Sequence, residues 1–311
     1  MKASANGYRA VMDRRDITAS LHRLVTQIEN IDALDIAANV VTPLVDRMTR
    51  SDRVKRTLSG VDLGHRLHPM LTDVPIGCWT TASVLDVIAG RAGRRPARQL
   101  VGLGIAAALP TVATGLSDWR DTYGGSRRLG VVHMTANTFA LGLECASWTA
   151  RRRGRHLRGA LYSACAIGAA TFGGYLGGHL VFAERVGVDH EVPTLSGERW
   201  HAACAESDLV DDEPFGATVR EVPLVLVRHR GLISALAAVC SHAGGPLAEG
   251  KLVGDAIECP WHHSEFCLHD GSVVRGPAVT AQPAYETRVR SGRVEVRLAP
   301  AAADMVTVAR P

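Results

Sequence analysis

Between residues 69 and 182 the chain repeats one pattern four times: a stretch rich in Ala, Gly, Leu and Val, then a short charged loop. The stretches run from roughly Pro69 to Ala89, Leu100 to Leu116, Val131 to Ala150 and Ala160 to Phe182. Each is near the ~20 residues that carry an α-helix across a bilayer core. Their small residues, Gly173, Gly174, Gly177 and Gly178 above all, suit close helix–helix packing in lipid. The pattern predicts a four-helix transmembrane bundle. A soluble all-helical domain is the alternative, and four spans in succession weigh against it.

The rest of the chain is of another kind. Residues from about 190 to 299 are charged, turn-rich and Val-rich, so the near-zero average hydropathy is a mixture of membrane and soluble parts. The expected architecture is a multi-domain membrane protein: an amphipathic helical region over 1–60, a transmembrane domain over 61–188, a small all-β domain over 192–299 and a tail over 300–311. Residues 1–16 read as loosely held. Apolar residues at Ile17, Leu21, Leu24, Val25 and Ile28 have helical spacing, and a second helix is expected from Ile31 to Met48. These helices either pack on their own protein or lie on the membrane surface.

The formal charge of +4 is small. Arginines crowd the loops between spans, as membrane topology explains, and nothing suggests nucleic acid. One side carries Arg91, Arg94, Arg95 and Arg98 with Arg151, Arg152, Arg153, Arg155 and Arg158. The other carries Arg53, Lys55, Arg56, Arg66, Arg120, Arg127, Arg128 and Arg185. The counts nearly balance, so charge alone does not orient the chain. The beginning of the sequence shows no signal peptide, and Arg14-Arg15 precede no apolar core. Of seven cysteines, Cys78, Cys145 and Cys165 fall in apolar spans and read as small buried hydrophobes, and no disulfide framework is visible.

The strongest chemistry lies in Cys240-Ser-His242 and Cys259-Pro-Trp-His262, with sixteen residues between His242 and Cys259. Two thiolates and two imidazoles in tight loops can hold the two irons of a [2Fe–2S] cluster, one iron by sulfur and the other by nitrogen. A Cys2His2 zinc site is the alternative. The one-residue gap in Cys240-x-His242 is tighter than common zinc spacing.

At these residues the chain closely resembles the Rieske ferredoxin family. The resemblance covers about 192–299 and takes in Trp200, the run Ala238–Leu247, Cys259–His262, Phe266, Asp270-Gly271-Ser272 and Gly276-Pro277-Ala278. It implies a small antiparallel β fold with the cluster at one tip, and the alternation in Pro223–Val227 and Arg293–Leu298 suits its strands. The high-potential respiratory members have an extra cysteine in each loop, joined as a disulfide. Gly245 and Trp261 stand at those positions here. Phe266 replaces a tyrosine that donates near the cluster, and Ser264 keeps its hydroxyl. Fewer donors imply a potential in the lower part of the Rieske range of about −150 to +300 mV. His263 stands where the family usually has glycine.

Residues of about 60–190 resemble a family of four-helix bacterial membrane domains with no established activity. The matching residues are Gly64-His65, His68-Pro69, Asp73-Val-Pro75-Ile-Gly77, His133 and the run Gly173–Val181; Arg66 replaces a frequent proline. His65, His68, His133 and His179 fall on one side of an up-down bundle with Asp73 and Asp118. Ionisable groups there are functional candidates. Either two histidines ligate haem b, with His68 and His133 the first pair and His179 next, or each is hydrogen-bonded at the interface.

The expected function is single-electron transfer by a membrane-anchored Rieske protein between a donor and a redox partner: a reductase, an oxygenase or a respiratory component. Haem or quinone in the helices is an optional relay. The residues after 299 leave no room for the catalytic domain of a Rieske oxygenase. The alternatives are a catalytic oxidoreductase with a quinone or haem site in the bundle, and a redox-sensing or scaffolding protein whose cluster carries no flux. The location expected is a bacterial cell membrane, multi-pass. The Rieske domain is expected to face the cytoplasm, because a folded cluster domain without a twin-arginine signal is hard to export.

Overall fold

The computed structural model describes residues 19–190, 195 and 199–298, so the first residues, including Ile17, and the tail 300–311 lie outside it. The chain divides into two compact units. One comprises Met1–Arg47 with Leu71–Val186, and the other Met48–Met70 with Gly187–Pro311.

The first unit is helical. Helix α1 covers 19–29, α2 is Ala33–Met48, α4 Leu67–Ile88, α5 Arg94–Trp119, α6 Gly124–Arg152 and α7 His156–Phe182. The four apolar stretches thus become α4 to α7. Of the described helices, α5 and α7 are long and apolar enough to cross a membrane by length and composition. Helices α4 and α6 include the ionisable residues Asp73 and Asp86, and Glu144 and Arg151. Packing pairs a large ring with a glycine on the facing helix. A Cβ on Gly104 would collide with Trp79 Nε1, and one on Gly102 would sit 2.9 Å from Trp148 Nε1. On α7, Gly173 and Gly177 make room for Asn137 and His133, while Gly174 and Gly178 face open space. Only half of that glycine run therefore serves α6–α7 packing.

Helix α1 buries Val25 and Ile28 with Leu129 and Leu176, which is the packed reading of the N-terminal amphipathic pattern. Leu21 and Leu24 stay exposed. On α2, Ala38 and Val45 are buried, but Ile36, Val40 and Leu44 form an exposed stripe one turn apart. Cys78 is buried as expected. Cys145 and Cys165 are exposed on outward faces, because a helix apolar all round does not reveal which side meets its neighbours.

A network that hydropathy hid lies inside this unit. The Arg151 guanidinium, on the last turn of α6 and fully buried, donates to both Asp86 carboxylate oxygens. Its Nε donates to Ser147 Oγ at 3.0 Å, and Ser163 Oγ donates to Glu144 Oε2 at 2.9 Å. Arg151 is thus an internal ion-pair partner, not a loop charge.

The second unit is antiparallel β. Strands β1 His201–Ala205, β2 Pro214–Val219, β3 Val222–His229, β4 Leu232–Ala237, β9 Ala284–Arg290 and β10 Arg293–Leu298 form a sheet in the order β1-β10-β9-β4-β3-β2. Strands β5 Lys251–Val253, β6 Ala256–Glu258, β7 Glu265–Cys267 and β8 Val273–Arg275 form a second sheet in chain order. Three hairpins of the large sheet close with two-residue turns, Arg220-Glu221, Arg230-Gly231 and Ser291-Gly292, all at positive φ. That geometry matches the right-handed twist of paired strands.

Period-2 alternation sends β3 and β4 into two cores at once. Leu224, Leu226, Ala235 and Ala237 face one cluster with Val294 and Val296. Val225, Val227 and Leu236 face another with Leu247, Ile257, Phe266, Cys240 and Cys259. Residues Met48–Met70 belong to this unit through a short helix α3, Asp52–Ser59. Arg275 pairs with Asp52 at 2.8 Å, Arg56 Nη1 donates to the Val274 carbonyl at 2.6 Å, and Val61 covers Gly276, where a Cβ would meet it at 2.7 Å.

Candidate metal centre

Two loops carry the Cys–His pairs. The first leaves β4 and holds Cys240 and His242; the second joins β6 to β7 and holds Cys259 and His262. Each is closed by its own backbone. Cys240 N donates to Gly245 O and Gly244 N to Cys240 O, both at 2.8 Å. Cys259 N donates to Ser264 O at 2.8 Å and His263 N to Cys259 O at 3.1 Å. Gly244 sits at φ 78° and His263 at φ 59°, which explains why glycine suits the second position as well as the first. The His263 ring compensates by lying 2.8 Å from Glu258 Oε1.

Hydrogen bonds from a third loop hold both. Ser241 Oγ donates to Thr280 O at 2.8 Å, Gln282 Nε2 to Val239 O at 3.0 Å, and Ala278 N to Ser264 Oγ at 3.0 Å. Because Ser264 accepts there, its own hydroxyl proton remains available to donate.

All four side chains expected from the sequence come together. The rings of His242 and His262 lie edge to face with centroids 4.6 Å apart. Cys240 and Cys259 are each 1% exposed and sit in the same apolar cluster. A Cβ on Gly245 would lie 2.7 Å from Cys259 Sγ and 3.2 Å from the Trp261 ring, so the loops close only around glycine. All seven cysteines are free. The Cys240 thiol donates to Cys259, which raises Cys240, already raised by burial, and lowers Cys259. Burial first, and then the positive charge of Arg66, hold His242 well below the usual histidine range. Cys259 is therefore the readier thiolate of the two, and the His242 imidazole stays neutral, the form in which it binds metal. This donor set fits a [2Fe–2S] group.

The remaining candidate histidines are placed differently. His133 Nδ1 faces the Gly173 carbonyl at 2.7 Å across α6–α7. His179 Nε2 lies 3.8 Å from Glu184 Oε1. Both belong to the helical unit, while His65 and His68 fall in the segment counted with the β unit. Half-buried Asp86 and buried Glu144 and Arg151 carry no sequence motif; their signal is single charges inside apolar spans, a pattern that favours function or internal pairing.

Two segments of the chain match described families. Residues 199–286 match the family described as Rieske [2Fe-2S] domain, and residues 64–190 match one described as predicted membrane protein (DUF2231). The chain is 30% identical over 100 residues to the naphthalene 1,2-dioxygenase system ferredoxin component of Pseudomonas putida, covering 32% of this chain and 96% of that protein. It is 35% identical over 83 residues to the dicamba O-demethylase oxygenase component of Stenotrophomonas maltophilia, 25% of this chain but only 24% of that protein. Among solved structures, the ferredoxin of carbazole 1,9a-dioxygenase from Nocardioides aromaticivorans aligns over its full length and 33% of this chain, at 24% identity and a TM-score of 0.31.

Proposed function

From the premise that this chain belongs to the Rieske [2Fe-2S] family through residues 199–286, we infer that it is a one-electron carrier whose cluster is held by Cys240 and Cys259 on one iron and His242 and His262 on the other. The observation that carries this reading is the meeting of both Cys–His loops on one buried core, with the imidazole rings 4.6 Å apart. A bound cluster supplies reversible one-electron chemistry. The chain's own part is to shield the sulfurs, keep His242 neutral and fix both loops through Ser241, Ser264 and Gln282. The two cysteines are more buried than His262, and Trp261 beside it is 52% exposed. Electrons then enter and leave on the imidazole side.

The alignment spans nearly all of a ferredoxin component and about a quarter of an oxygenase component. That ratio supports a carrier serving a redox partner protein such as an oxygenase or reductase. The helical unit is the anchor in the bilayer of a bacterial cell membrane, multi-pass over about 61–188. Support comes from the matched family description, from α5 and α7, and from outward apolar residues such as Val87, Leu109, Phe139 and Phe182. The β unit faces the cytoplasm in this reading, since the loops lack the disulfide of the respiratory members. Haem b and quinone have no support in the described geometry.

Low-temperature EPR of dithionite-reduced membranes containing the full chain tests the assignment. A Rieske-type signal that disappears in Cys259→Ser is the expected result. Iron-replete protein without that signal would overturn it.

A further inference from the structure

We propose that Glu29, His179 and Glu184 form a second metal site, separate from the cluster, for a borderline divalent cation of the Mn2+, Fe2+ or Zn2+ kind. Three elements of the helical unit converge on it: the last turn of α1, the last turn of α7 and the segment that follows α7. Each residue offers one ligand atom, and these atoms all lie within 4.8 Å of one another. His179 Nε2 and Glu184 Oε1 are already 3.8 Å apart. Two ligands on one ion with bonds of about 2.0–2.2 Å sit roughly 3–3.5 Å apart. Closure therefore needs about 1 Å of side-chain movement, within reach of Glu184, whose side chain is 34% exposed and lies beyond the helix end.

The surroundings are arranged for an ion. Oε1 of Glu29 is buried with no hydrogen-bond partner among the described residues. Half-buried Glu29 and exposed Glu184 bring two like charges together, which a bound cation would offset. The guanidinium that reaches this end of α1 is engaged elsewhere: Arg128 Nη1 holds the Glu29 backbone carbonyl at 3.0 Å, and Nη2 pairs with Asp32 and Asp35, each at 2.7 Å. Ser126 Oγ donates to Glu184 Oε2 at 3.1 Å and orients that carboxylate from outside the trio. Gly125 fits against the Glu29 stem, where a Cβ would meet Glu29 Cβ and Cγ at 3.2 and 3.3 Å.

The donor set selects the ion. One imidazole and two carboxylates suit Zn2+, Mn2+ or Fe2+, and offer too few oxygens for Ca2+ and no sulfur for Cu+. Two carboxylates cancel the charge of a divalent ion. Three protein ligands leave at least one position open, the arrangement of sites that exchange ligands.

The test uses the full chain, cluster loaded and purified in detergent, titrated with Mn2+ while the EPR signal of free Mn2+ is followed. The expected result is one Mn2+ per chain, displaced by Zn2+, with the Rieske signal unchanged. Glu29→Gln and His179→Gln should each weaken Mn2+ binding at least tenfold while helical circular dichroism stays at the parent level. Wild-type protein that binds no Mn2+ and no Zn2+ beyond the cluster iron overturns the site, and that result does not depend on any variant folding. Folded variants that bind as tightly as the parent overturn it equally.

Discussion

Replacing His263 separates backbone strain from side-chain contact at the mouth of the cluster loops. The residue sits at φ 59° directly after His262, and an L-residue there costs about 1–2 kcal/mol that glycine avoids. The ring contacts Glu258, but the His263 side chain is 61% exposed, which limits such a pair to about 0–1 kcal/mol. Glu258 also keeps Lys251 at 3.2 Å. His263→Ala loses the contact and keeps the strain. His263→Gly loses both, and the greater freedom of glycine in the unfolded chain takes back about 0.4–1 kcal/mol. Glycine is left ahead of alanine by about 0.5–1 kcal/mol. For a unit of this size that is about 2–8 °C in melting temperature. Thermal loss of the cluster's visible circular dichroism, measured on the full chain at neutral pH, reads the difference. A glycine variant melting at or below the alanine variant would refute the strain argument and give position 263 to its contact with Glu258.

Phe266→Tyr adds a donor to a fully buried side chain beside the cysteines; the midpoint potential should rise, and an unchanged potential in a redox titration counts against the hydrogen-bond account of a low-potential site. Gly177→Ala forces a Cβ to within 2.9 Å of His133 Cε1, whereas Gly178→Ala meets nothing; the first should lower helical stability by about 1–3 kcal/mol and the second leave it unchanged, by circular dichroism melting. Burial alone would raise Glu258, but hydrogen bonds from His263 and Lys251 outweigh it and hold the carboxyl below 4.5. Its folded value is thus the lower one, so its contribution is complete above the unfolded value and fades as pH falls through the folded one. The β unit should melt progressively lower as pH drops below about 4.5, and Glu258→Gln should flatten that acid limb; equal slopes would show that Glu258 carries none of it.

The cluster loops were legible because iron chemistry dictates both residue types and spacing, and a spacing survives in one dimension. Strands β3 and β10 were legible for a similar reason, since alternation is local. The Asp86–Arg151 pair was not: the partners are 65 residues apart, and hydropathy averaged over a span absorbs one charge. Glu29 and His179 likewise meet only through folding. Cys145 and Cys165 point outward because composition fixes a helix as apolar without saying which face is inside. The strain at His263 was foreshadowed by its place in a glycine position, yet only the backbone angle shows that glycine is favoured for its conformation.

The contacts between α3 and β8 have a consequence for timing. Arg56 reaches Val274 across 218 residues, and Asp52 reaches Arg275 across 223. A ribosome adding ~5–20 residues per second takes roughly 10–45 s to cover that interval. During it α4 to α7 and most of the β unit are synthesised while α3 waits without its counterpart. The fastening on β8 is therefore among the last to close, in the same stage of synthesis that first presents both iron-binding loops. A water-soluble fragment begun at residue 187 would skip the wait and lack the fastening, so its cluster should be the more quickly lost of the two.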